Sequence, residues 1–115
     1  MTLEECYEKI GGNYKEVVQR LPGEKFVKKF AVKFLDDPSF ETLKKGLEEQ
    51  DLETAFRGAH TLKGVCQNLS FDALYQVSAA LTESLRAGTL EGSGPLFAKV
   101  EEQYRRTVEG LRELQ

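Results

Sequence analysis

Apolar residues return every three or four positions along almost the whole chain, and no window alternates apolar with polar residues as a half-buried strand would. That spacing points to one fold class, all-α. Cap and breaker residues cut the pattern into elements. Thr2 followed by Glu5 has the form of a capping box and opens a short helix that ends before Gly11 and Gly12. Asn13 and Glu16 repeat the signature ahead of Tyr14, Val17, Val18 and Leu21, and Pro22 with Gly23 marks a turn or kink. Phe26, Val27, Phe30, Phe34 and Leu35 form an apolar stripe ending at Asp36, Asp37 and Pro38, and its phenylalanines are expected in the core. Ser39 is the expected cap of a helix with Phe40, Leu43 and Leu47 on one face, and Asp51 that of a helix running to about Leu69. Ser70 is expected to cap a helix holding Leu74, Val77, Leu81 and Leu85, with Gly88 at its stop. Pro95 suits the first turn of a last helix bearing Leu96, Val100, Tyr104, Val108 and Leu111. Connections are short, residues 88–94 being the one obvious loop. The pattern therefore predicts an antiparallel four-helix bundle with one or two short N-terminal helices.

The 115 residues suit a single domain spanning 1–115. A chain of that length buries roughly two-thirds of its unfolded surface, enough for one core without staples. A net charge of −3, with lysines and arginines interleaved among acids, argues against a nucleic-acid partner. No run approaches the roughly 20 apolar residues that cross a bilayer, and the first ten residues carry acids where a signal peptide would be apolar. Cys6 and Cys66 stand far apart and belong to no CxxC pair. Cys66 is expected as a small core residue, Cys6 as a surface or staple residue of the first helix. A monomer in the reducing cytoplasm is the expected setting, with no cofactor and no membrane partner.

The informative segment is residues 51–70, DLETAFRGAHTLKGVCQNLS, which holds the only histidine, His60. On a helical wheel at about 100° per residue with His60 at zero, Ala55, Ala59, Leu62, Cys66 and Leu69 fall between roughly 180° and 260°. That continuous apolar face turns inward, so His60 faces water or a partner. Phe56, Lys63, Gly64 and Gln67 lie within roughly 60° of His60. A large aromatic, a mid-helix glycine costing about 0.5–1 kcal/mol relative to alanine, and a cation one turn away are odd choices for a plain solvent face. An exposed imidazole, partly uncharged near neutral pH, is a nucleophile toward an activated phosphoryl group. The Lys63 ammonium can steady phosphoryl oxygens, and Gly64 leaves room for in-line displacement. No second histidine stands near to make a metal site, and no other acid or base adjoins His60 in sequence, so the face reads as half of a reaction centre. No nucleotide-binding loop is present; Gly92, Ser93 and Gly94 read as a helix connection.

His60-Thr61-Leu62-Lys63-Gly64, continued as Val65-Cys66-Gln67-Asn68-Leu69, resembles the HxLKG…L motif of histidine-containing phosphotransfer (HPt) domains. The run Leu74, Leu81, Thr82, Glu83, Leu85 to Gly88 is similar to that family's second core helix, and the resemblance covers about residues 26–108. It implies a four-helix bundle and reversible phosphoryl exchange between His60 and the aspartate of a response-regulator receiver domain, in a relay fed by a sensor histidine kinase. It also implies that Lys63 is the charge partner and Gly64 the clearance position; Phe56 and Gln67, placed on the same face by the wheel, are expected partner contacts. Members often place Glu or Gln on the next helix to bond the other ring nitrogen; that position falls at Thr82, beside Glu83, a shorter acceptor on the expected partner face. The chain is read as a free-standing phosphoryl carrier, not an enzyme with its own turnover. The alternative is a helical adaptor that binds a signalling partner through the Phe56 face without phosphotransfer.

Overall fold

Side-chain caps set where several helices start in the computed structural model, which describes residues 1–115. The Thr2 hydroxyl accepts from the Glu5 N–H at 3.1 Å and the Glu5 carboxylate from the Thr2 N–H at 2.8 Å, so the capping box closes and α1 runs Leu3–Ile10. Asn13 accepts from the Glu16 N–H at the head of α2, Tyr14–Arg20. α3, Glu24–Lys33, follows the Gly23 turn and tightens into a 3-10 turn at Phe34–Asp36. Then come α4 (Ser39–Glu48), α5 (Leu52–Leu69), α6 (Asp72–Arg86) and α7 (Ser93–Arg112). Asp51 caps α5 as expected, accepting from the Thr54 N–H at 3.1 Å. Pro95 sits in the first turn of α7.

Two expected caps fall elsewhere. Ser39 is already helical, and its N–H donates to the Asp37 carboxylate at 2.9 Å; the acid two residues earlier does the capping. Ser70 ends α5 instead of starting α6: it takes a left-handed conformation (φ 56°), and the Phe71 N–H returns to the Cys66 carbonyl at 2.9 Å. Its buried hydroxyl donates to Glu16.

α4 to α7 each pack on the next, and the short loops make the order antiparallel. The closest approach is between α4 and α5. A Cβ on Gly46 would strike the Ala55 backbone, and one on Gly58 the Leu43 backbone. The two main chains therefore touch, in antiparallel register. α1 lies against α7, where Gly110 gives room to Ile10. This contact corrects the reading of Cys6: it is fully buried, with its thiol 3.5 Å from the Gly110 carbonyl, and burial raises its pKa as it does that of buried Cys66. Leu3, Cys6, Tyr7 and Ile10 form the buried stripe of α1.

The phenylalanines divide. Phe34 is buried between the rings of Phe71 and Tyr104. Phe30 is half-buried and Phe26 is 41% exposed, against the expectation for both. α3 seats Val27 and Ala31 inward, which leaves Phe26 and Phe30 packed on each other along its edge, their ring centroids 4.8 Å apart and the rings tilted by 53°. Gly58→Ala is expected to destabilise the fold by about 1–3 kcal/mol, because forced backbone separation outweighs the roughly 0.5–1 kcal/mol of helix propensity gained. An unchanged or raised urea midpoint would contradict the backbone contact.

Candidate functional site

Gly58, two positions before His60, points nearly opposite to it on α5 and is pressed on α4. Ala55, Ala59, Leu62, Cys66 and Leu69 are buried with it, as the wheel expects. His60, Thr61, Gly64, Gln67 and Asn68 are exposed, while Phe56 and Lys63 are half-buried.

His60 stands on a ridge between two neighbours. On one side an open groove of about 1080 Å³ runs between α5 and α3, with His60, Gly64 and Gln67 on one wall and Phe26, Phe30 and Lys33 on the other. A Cβ built on Gly64 meets nothing within 4 Å, so the backbone beside the imidazole is bare and open. Arg20 closes the groove's end. Its guanidinium donates to the Gln67 carbonyl and, at 3.0 Å, to that of Asn68, where the end of α5 leaves carbonyls without helical partners. Glu16 holds Arg20 at 2.6 Å and accepts from the Ser70 hydroxyl at 2.8 Å, so α2 is latched to the end of α5.

On the other side lies α6. The Phe56 ring centroid is 5.7 Å from that of His60, and the Arg86 guanidinium sits 5.1 Å from the Phe56 centroid. Lys63 is on this side too, one turn from His60, and forms no ion pair. Thr82 is not on the partner face. It is fully buried, and its hydroxyl donates to the Ser78 carbonyl at 2.7 Å. The inward stripe of α6 is Leu74, Ser78, Leu81, Thr82 and Leu85, which draws Thr82 into the bundle, where a short hydroxyl satisfies itself on its own helix. Glu83 is exposed and pairs with Arg86 at 3.3 Å.

The α5 wall is legible in the sequence and the opposite one is not. Phe26, Phe30, Lys33 and Arg20 come from elements far from His60 in the chain, and spacing on one helix carries no information about which other helix lies beside it. The surplus of aromatics on α3 was the available signal.

The Hpt domain family model matches residues 37–113, about two-thirds of the chain. The chain belongs to the Hpt family. Hpt domains are helical bundles that carry phosphoryl groups on histidine in phosphorelays, and α4 to α7 are this chain's version of the bundle. The match takes in the α5 wall of the groove and begins after α3, so the opposite wall comes from residues that precede it. No curated protein and no solved structure matched the chain. No helix is long and apolar enough to cross a membrane.

The latch is sensitive to acid. The Ser70 hydroxyl, and then Arg20, hold the Glu16 carboxyl below its ordinary pKa. A depressed carboxylate adds stability that is complete above its unfolded pKa and lost as the pH falls through the lower folded value. Glu16→Gln is therefore expected to lower the urea midpoint at pH 7, with the gap to wild type narrowing in acid as the carboxyl takes up its proton. An equal gap at pH 7 and in acid would contradict the latch.

Proposed function

We propose that His60 accepts a phosphoryl group from the aspartate of a response-regulator receiver domain and returns it to one, in a relay with a sensor histidine kinase upstream. The observation that carries this reading is the family's helix presenting the sole histidine, exposed, beside a bare glycine at the rim of an open groove. In the step, a ring nitrogen lone pair attacks phosphorus in line. The P–N bond forms as the P–O bond of the aspartyl phosphate breaks, and the carboxylate leaves with that electron pair. The other ring nitrogen keeps or gives up its proton to water. Reversal returns the group, so the chain is a carrier and the receiver brings the rest of the centre.

Each side-chain role follows from position. Lys63 steadies charge on the phosphoryl oxygens. Gly64 leaves space for them and for the incoming receiver loop. Phe56 and Gln67 contact the partner on the face around His60, and the Phe26 and Phe30 wall supplies apolar area to the same docking. Such a relay would run in the cytoplasm, with the carrier acting as a monomer.

Label is expected to move from a phosphorylated receiver domain to wild type and not to His60→Gln, and to be acid-labile and base-stable. Binding without movement of label would favour an adaptor, and label persisting in His60→Gln would remove His60 from the role. Lys63→Ala is expected to slow transfer about tenfold at low salt with an unchanged melting temperature, the low end of what electrostatic donors supply. An unchanged rate would make Lys63 a plain surface charge.

A further inference from the structure

We infer that Phe56, clamped by Arg86, is the positioning residue that holds the His60 ring for attack in place of a side-chain hydrogen bond. The inference rests on the reading of His60 as the carrier. An exposed imidazole on a helix hops between rotamers on a fast timescale, and only some of them aim a ring nitrogen outward along the line of attack. Holding it in a near-attack orientation raises the rate without adding any chemical group. No side chain hydrogen-bonds the His60 ring, and the two α6 groups at the position the family uses for this are engaged elsewhere: Thr82 donates to Ser78 and Glu83 pairs with Arg86.

What stands against the ring is Phe56, one turn earlier on the same face of α5. The rings are 5.7 Å apart and tilted by 35°. Phe56 can act as a fixed wall because it is held from two sides. It packs on the core cluster, and the Arg86 guanidinium lies 5.1 Å from its centroid. Arg86 is in turn tethered to Glu83. Glu83, Arg86, Phe56 and His60 thus form one line of contacts from α6 across to α5. An aromatic wall differs from a hydrogen bond in one respect that matters for the chemistry: it restrains orientation and leaves both ring nitrogens uncommitted.

Because His60 is the only histidine, its imidazole gives a single set of NMR signals, and the test uses the full chain. Wild type is expected to show proton contacts between the Phe56 and His60 rings and a ring-current shift on His60. Phe56→Leu and Arg86→Ala should weaken both signatures. Phosphorylation by phosphoramidate, from which His60 displaces ammonia, needs no docking surface. That rate should fall about tenfold in Phe56→Leu, recover to within about twofold of wild type in Phe56→Tyr, and fall about two- to fivefold in Arg86→Ala. Should Phe56→Leu fold poorly, the exposed Arg86→Ala change carries the test. If both variants raise only the KM for the phosphorylated receiver and keep the phosphoramidate rate, Phe56 is a docking contact and the inference is overturned. If wild type takes no phosphoryl group from either donor, the carrier reading fails. The His60 signals then still decide whether the ring is held: lost in the variants supports the wall, unchanged overturns it.

Discussion

The contact between the backbones of α4 and α5 sets the rotation of the helix that carries His60. Gly46 lies on Ala55 and Gly58 on Leu43, with no space for a Cβ at either glycine. A helix seated so deeply cannot turn about its axis without pulling main chains apart. Since Gly58 faces α4, a residue two positions on faces away, and His60 is placed outward by packing on the opposite side of its own helix. Gly58 and Gly64 are the same residue type used for opposite ends. One lets backbones meet, and the other leaves a backbone uncovered.

The surroundings of His60 are assembled from both halves of the chain. α5 and α6 supply the histidine, the glycine and the Phe56 and Arg86 pair within the residues matched to the Hpt family. α3 supplies the far wall of the groove, and α2 pins its end through Arg20 and Glu16. Under the proposed function the bundle would keep the chemistry constant while the leading helices shape what docks beside it. α1 takes no part in the groove and closes the core over α7 instead, which is why its cysteine is buried.

The bundle and the outward turn of His60 were legible because both are periodic properties of one segment at a time. The Thr2 capping box and the Asn13 and Asp51 caps were legible for the same reason, being local, although at Asn13 the Glu16 carboxylate turns to Arg20 and Ser70 and no second box closes. What escaped depends on pairs of segments. Cys6 reads as peripheral until α7 is placed on it, and Phe26 reads as core until Val27 and Ala31 are seen to claim the inward side of α3. Thr82 could be counted to by resemblance, yet its direction follows from the packing of α6, and the resulting burial leaves the His60 ring to Phe56. Ser70 has the residue type of a cap and the backbone of a helix end, a choice made by the tight turn into α6.

Under the proposed function the outward face of α5 is kept for phosphoryl chemistry and not for folding, and Gly64→Gln separates the two. The melting temperature and the transfer from a phosphorylated receiver at saturating partner are measured on the same variant. The melting temperature is expected to equal that of wild type or exceed it, helped by about 0.5–1 kcal/mol of helix propensity, while transfer is strongly lost. A folded variant that transfers at the normal rate would contradict this use of the face, as would one that unfolds because the added side chain has no open space to enter.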